Sequence, residues 1–335
     1  MLDSRRITAR NYITPAAGCA LVVTAAAARA PGKAILFGEH AVVFGEGAIA
    51  AALTLYFETH VRLAKGDATR VDGRPLDRRH HGYFEEALRR AWGDRGPLDL
   101  STKSTVPSAS GLGSSAALTV STVAALRAMR GKMDQAEVAR TAFEVEYTVQ
   151  GRASPTDTST ASHGRCVYIA KKAGAGHLWT LEKGGNTWCV HDLAFPPLTF
   201  VVGYTGKKGN TAELVEKVRK LTETDTKARA RITEIGAIVE EAKVALAAGD
   251  ARAVGRLMDR NHEHLRALGV SSPELETLVA AARPHAFGAK LTGAGGGGCM
   301  IAVTDQPEAC AKAIEAAGGK PYRAEIDPAG VVLIS

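Results

Sequence analysis

VPSASGLGSSAA, residues 106–117, is a turn of small and flexible residues that opens onto a helical pattern. Gly111 and Gly113 permit backbone conformations closed to other residues and let a ligand approach the main chain. Ser114 and Ser115 stand where a helix over 116–130 begins, and Gly131 stops it. A helix N-terminus offers unpaired N–H groups and partial positive charge, which suits phosphate. A serine hydroxyl there can also help hold Mg²⁺. Taken alone, the segment fits equally well a plain turn with Ser as helix N-cap.

Two other nucleotide signatures do not apply. The chain has no GxxxxGK[ST] loop. Gly293 to Gly298 satisfies GxGxxG formally, but that fingerprint should open a helix after a strand. Here it runs into an apolar, strand-like stretch, 299–303. Consecutive glycines there suit either backbone packed beside a ligand or second loop, or a flexible hairpin.

Two further segments carry chemistry. APGKAILFGEHAVV, residues 30–43, places Lys33, Glu39 and His40 in an otherwise apolar strand pair framed by Gly32, Gly38 and Gly45. Buried ionisable groups are costly unless paired or used. EYTVQGRASPTD, residues 146–157, sets Glu146 near a helix end and Asp157 after a Ser-Pro turn, so two carboxylates can divide the roles of metal ligand and base.

Outward from these segments, the pattern predicts strands at 21–27, 34–37, 48–52, 56–63 and 98–104, a hairpin or loop at 66–75, and helices at 82–93 and 134–150. A second half starts near Pro196, with strands at 198–204, 289–291, 299–303 and 331–334. Its helices are expected at 211–224, 227–248, 251–267, 273–282 and 306–317. Strands and helices come in clusters, which favours an α+β fold over a doubly wound sheet. No repeat or low-complexity segment is visible.

Composition narrows the function classes. Of 335 residues, 45% are apolar and 23% charged, ordinary for a globular chain long enough for two domains. The net charge is +7, yet no long block of like charge appears, and Arg78, Arg79, Arg89 and Arg90 alternate with acids as on a solvated helix face. Sparse aromatics and no recognition module argue against nucleic acid, and nothing after the N-terminus is apolar enough to span a bilayer. Cys19, Cys166, Cys189, Cys299 and Cys310 form no CxxC pair and read as reduced core thiols of a cytoplasmic protein. Arg5, Arg6 and Arg10 before the Ala-rich stretch 16–28 resemble a signal peptide. A loose leader, 1–20, followed by a strand is preferred, because the Lys33 segment needs that strand as its platform.

PGKAILFGEHAVV, VPSASGLGSSAAL and KLTGAGGGGCMIAV, in this order and spacing, resemble the motifs of the GHMP small-molecule kinases. Within that superfamily the chain most resembles the mevalonate kinase family, of archaeal type. GEHAVVFGEGAIA around Glu39 and His40 and NHEHLRALGVSSPELETLV, residues 261–279, carry that resemblance, which covers residues 21–335. It implies an N-terminal domain like the second domain of ribosomal protein S5 (21–195) and a ferredoxin-like C-terminal domain (196–335), with ATP and substrate in the cleft between.

By motif position the resemblance implies Asp157 as catalytic base and Lys33 as its partner, which eases loss of the acceptor proton. Ser115 and Glu146 match the Mg²⁺ ligands. Pro107, Ser108, Ala109, Ser110, Gly111, Leu112, Gly113, Ser114 and Ser115 match the ATP phosphate loop. His40, Thr292 and Gly293 fall on the substrate side with Lys33 and Asp157, and Glu39 supports them. The implied reaction is ATP-dependent 5-phosphorylation of (R)-mevalonate in isoprenoid biosynthesis by a cytoplasmic enzyme, and the resemblance implies a homodimer. Other GHMP kinases (of phosphomevalonate, homoserine, shikimate, pantoate or a sugar) and a non-catalytic GHMP-fold binding protein are the alternatives. GRASPTDTSTASHG departs from the Asn-Pro-Ser-Gly run that precedes the Asp in many relatives, and no motif locates the adenine pocket.

Overall fold

In the computed structural model, which describes residues 23–335 except 109 and 152, two long strands form the spine. β1 (Ala25–Phe37) and β2 (Ala48–Leu63) pair antiparallel from Ala25 opposite Arg62 to Phe37 opposite Ile49. The sequence reading expected each as two shorter strands. Register shifts at Pro31/Gly32 and Ile35/Phe37 explain the difference, because bulges let a strand pass a proline and a bend without ending. The part of the expected strand 21–27 that precedes residue 23, the leader 1–20, the signal-peptide-like stretch before residue 23 and Cys19 lie outside the described residues.

The other edge of β2 is shared. β5 (Leu98–Ser104) pairs with Phe57–Leu63, and β6 (Cys166–Ala170) pairs with Ala48–Ala51. β5 carries the small hairpin of β3 (Arg70–Val71) and β4 (Arg74–Pro75), as expected for 66–75. β6 continues to β8 (Asn186–Asp192), which pairs with β7 (His177–Lys183). This meander went unread in the sequence: β7, HLWTLEK, buries only Trp179 and Leu181 against polar neighbours, a weak period-2 signal. The last strand, β13 (Val332–Ile334), lies beside β1 in this first sheet.

Helices α1 (Arg78–Ala91), α2 (Ser114–Ala128), α3 (Gln135–Gln150) and α4 (Thr156–His163) belong to the same lobe. Phe84, Val120, Val123 and Val138 pack on Ala28, Phe57 and Leu98. α2 is small and apolar nearly all round, as a helix between a sheet and other helices must be.

The second sheet has the order β10 (Gly288–Thr292), β11 (Cys299–Val303), β9 (Phe200–Tyr204), β12 (Lys320–Ala324), each neighbour antiparallel. With α9 (Pro307–Ala316) between β11 and β12, this is the split β-α-β-β-α-β order of a ferredoxin-like unit. The crossover from β9 to β10 is enlarged to four helices, α5 (Thr211–Thr224), α6 (Thr226–Ala247), α7 (Ala251–Ala267) and α8 (Pro273–Ala282). Side chains of Asn210, Asp225, Asp250 and Ser272 cap their N-termini, which fixes the boundaries. β12, KPYRA, was not anticipated: it is short, carries Pro321 and occupies a sheet edge.

One apolar cluster joins the lobes. Leu36, Phe37 and Ile49 of β1 and β2 pack with Phe200, Val202 and Ile301 of the second sheet and Ile238 and Met258 of α6 and α7. Cys166, Cys189, Cys299 and Cys310 are all free and buried, in keeping with core thiols.

Candidate active site between the lobes

The 107–115 turn joins β5 to α2. Gly113 is the N-cap of α2 at φ 71°, and no side chain bonds to the helix end. Ser114 is therefore the first helical residue rather than the cap, and the leading N–H groups of α2 are left for a ligand. Gly111 takes φ 82°. β1 lies directly against this turn: Lys33 N donates to Leu112 O at 2.9 Å, and Lys33 Nζ to Gly111 O at 3.0 Å. Gly113 has no room for a side chain, since a Cβ would stand 2.9 Å from Lys33 Cγ. Buried Ser110 donates to Pro107 O at 2.8 Å, tying the turn to itself, whereas Ser108 is exposed; Ala109 lies outside the described residues.

Four polar side chains from four elements converge beside the turn. Lys33 Nζ of β1 lies 3.1 Å from Asp157 Oδ2, in the first turn of α4. The lysine side chain is 4% exposed and the aspartate 32%, so the ion pair is enclosed on one side and open to water on the other. Ser115 Oγ, on α2, donates to Glu146 Oε1, on α3, at 2.9 Å. Burial pushes the Glu146 carboxyl up to about 8. The Asp157 charge adds to that rise, and the Ser115 hydroxyl and Lys33 ammonium oppose it.

Sequence reasoning missed two neighbours of this group. Gln150 Nε2 reaches both Glu146 Oε1 at 3.4 Å and the Tyr83 hydroxyl of α1 at 3.1 Å. Gln150 lies four residues after Glu146 on the same helix, so helical spacing was the available signal.

The remaining sequence-predicted residues form the opposite wall. Glu39 and His40 occupy the turn after β1, and His40 Nε2 lies 2.9 Å from Ala294 O. That contact requires a proton on Nε2, which leaves Nδ1 of the neutral ring as a buried acceptor without a partner. Burial lowers the His40 pKa and keeps the ring neutral. Its backbone, φ 61° and ψ −44°, is one that costs a residue with a side chain about 1–3 kcal/mol. Thr292 is buried, and its hydroxyl both accepts from Ile35 N and donates to Ile35 O, each at 2.9 Å. Gly293 faces the phosphate turn: a Cβ on it would lie 3.4 Å from Gly111 Cα. A Cβ on Gly298 would come closer still, 2.7 Å from Ser110 O. The glycine run is thus backbone packed on backbone, and it leads into β11 rather than a helix, which excludes the dinucleotide fingerprint.

The arrangement brings together a helix start without a side-chain cap, a lysine–aspartate pair and a buried carboxyl group. Comparison with known families fits it. The model described as GHMP kinases N terminal domain matches residues 82–165, and that described as GHMP kinases C terminal matches residues 242–324. Mevalonate kinases of Thermococcus onnurineus and Pyrococcus furiosus are 35% and 36% identical to the chain, each alignment covering 91% of it and 97% of the relative. The chain belongs to the mevalonate kinase family of the GHMP kinases.

Solved mevalonate kinases share the architecture. That of Methanococcus jannaschii superposes with TM-score 0.75 at 26% identity over 90% of this chain and 98% of that one. That of L. major, solved in complex with R-mevalonate, gives TM-score 0.75 at 28% identity, over 90% and 95%. The GHMP kinase fold expected from the motifs is therefore the fold of this chain, and as a kinase of this family it uses ATP. Among the described residues, no helix is long and apolar enough to cross a membrane.

Proposed function

We propose that this mevalonate kinase family member transfers the γ-phosphoryl group of ATP to the 5-hydroxyl of (R)-mevalonate, giving ADP and 5-phosphomevalonate. The observation that carries the reading is the Lys33–Asp157 pair, 3.1 Å apart, with Lys33 also bonded to the phosphate turn. A base and a cation so joined address both ends of the reaction, the acceptor proton and the transferred charge.

Phosphoryl transfer needs in-line placement and charge compensation more than covalent help. The N-terminus of α2 and the turn from Pro107 to Ser115 hold the ATP phosphates through backbone N–H groups. Asp157 accepts the proton of the attacking hydroxyl and, being partly exposed, returns it to water. Lys33 compensates charge developing between acceptor and γ-phosphate. His40, Thr292 and Gly293 form the acceptor wall with Lys33 and Asp157, supported by Glu39. The Thr292 hydroxyl, engaged with Ile35, acts by fixing that wall.

The donor set fits Mg²⁺. Ser115 and Glu146 offer only oxygen, and burial together with the Asp157 charge disfavours the ionised Glu146 carboxyl, so a cation beside it would be stabilising. Among the described residues no group of three or more His, Cys, Asp or Glu side chains could hold a metal, so Ser115 and Glu146 would share the ion with the ATP phosphates. When bound, Mg²⁺ neutralises phosphate charge.

ADP release, coupled to NADH oxidation, with mevalonate against phosphomevalonate, homoserine, shikimate, pantoate and galactose tests the acceptor. Mevalonate is expected to give the highest kcat/KM. A better acceptor in the panel replaces it, and no ADP release with any acceptor revives the non-catalytic reading. The proposal extends to a cytoplasmic homodimer, whose mass light scattering checks.

A further inference from the structure

Glu39 draws both of its partners from the other lobe. Lys290 Nζ of β10 forms an ion pair with Glu39 Oε1 and donates to Leu291 O at 2.7 Å. Asn261 Nδ2 of α7 donates to Glu39 Oε2 at 3.1 Å. Glu39, Lys290 and Asn261 are 1%, 0% and 0% exposed. Charges this deeply buried are a poor device for stability, because desolvation offsets their attraction and an apolar pair serves as well. Their position points to another role.

The residue after Glu39 is His40, in the strained backbone conformation already described. Such conformations persist only where the surroundings over-determine them. On one side the turn is gripped through Glu39; on the other, the His40 ring donates to Ala294 O. Both restraints originate in the second lobe, within the stretch from Lys290 to Ala294 and the facing turn of α7. His262, next to Asn261, accepts from Leu291 N at 3.3 Å and so registers α7 on β10.

We propose that Lys290 and Asn261 are positioning residues for the acceptor alcohol: by holding both oxygens of Glu39 they keep His40 in its strained turn and set the acceptor wall from the second lobe. This rests on the reading that places His40 on the acceptor side. The grip on Glu39 bears directly on the acceptor wall, whereas the 107–115 turn, set between β5 and α2, meets this stretch through the glycines Gly293 and Gly298 packed on Gly111 and Ser110, so loss of the grip falls mainly on the acceptor.

The test is steady-state kinetics in both substrates, with mevalonate binding to the nucleotide-free protein followed by calorimetry. Asn261→Leu removes one grip and leaves the ion pair. Lys290→Met removes the other, and Glu39→Gln/Lys290→Met leaves no buried charge behind should Lys290→Met fail to fold. Each is expected to raise the mevalonate KM and Kd about tenfold, with the ATP KM within about twofold, since small misplacements near reacting groups are costly. His40→Ala serves as reference. If His40→Ala raises the mevalonate KM and Asn261→Leu and the double variant do not, the positioning role is overturned while the reading of His40 stands. If His40→Ala leaves the mevalonate KM unchanged, that reading fails and the proposal with it. Equal rises in both KM values, or a lower melting temperature alone, would mark a purely structural pair.

Discussion

Lys33 Nζ stands 3.1 Å from Asp157 Oδ2 while bonding to the Gly111 carbonyl, so a single ammonium couples the acid of α4 to the phosphate turn. The two residues come from elements that meet only through the fold. Asp157→Asn keeps the shape of the side chain and removes the base. Its kcat should fall by at least ~10²-fold with ATP binding retained, as is usual for loss of a positioned proton acceptor. Turnover near the wild-type rate would remove Asp157 from the role of base.

Glu146 gives a pH signature to the metal-free protein. Its folded pKa, about 8, lies above its ordinary value of 4.5. Between these values the folded protein keeps a proton that the unfolded chain has lost. Its contribution to stability is therefore complete below about pH 4.5 and is lost as pH rises through about 8. Glu146→Gln cannot ionise, so the variant should melt above wild type at pH 8.5 in EDTA and lose that part of the slope. Parallel melting curves across this window would contradict the burial argument.

Gly113 is a steric test of the coupling between β1 and the turn. A methyl group there would meet Lys33 Cγ at 2.9 Å, on a backbone at φ 71° that disfavours alanine. Gly113→Ala should displace the lysine and the start of α2 together, lowering kcat and raising the ATP KM each about tenfold or more, because both are set by the same placement. Product-coupled assays at varied ATP report both constants.

Thr292→Val separates wall-building from direct contact. The substitution removes the hydroxyl that serves Ile35 N and Ile35 O. Buried groups that lose a partner cost about 1–3 kcal/mol. The urea midpoint should fall accordingly, and Thr292→Ser, which keeps the hydroxyl, should restore most of it. A serine variant as unstable as valine would mean that the methyl group, not the hydroxyl, matters at this position.

Legibility differed by kind of feature. Lys33, Ser115, Glu146 and Asp157 were visible because each lies in a local pattern: a glycine-framed strand, a helix start, a helix end and a post-proline turn. Lys290, Asn261, Tyr83 and Gln150 were not singled out. A lysine in an apolar strand or an asparagine on a helix is unremarkable until its partner, Glu39 in the case of Lys290 and Asn261, is known to be more than 200 residues away. β7 and β12 escaped for a similar reason, since edge strands with mixed polarity owe their state to neighbours rather than to their own period.

The local sequence by itself determined most of the helices, the short apolar strand segments and the glycine-and-serine turn, because propensity and backbone freedom act over a few residues. Tertiary structure alone decided that the turn meets Lys33 and the glycine run, that Glu146 is buried enough to hold its proton near pH 8, and that Glu39 is gripped from the second lobe. Burial and charge pairing are properties of what surrounds a residue, and here the surroundings arrive from distant parts of the chain.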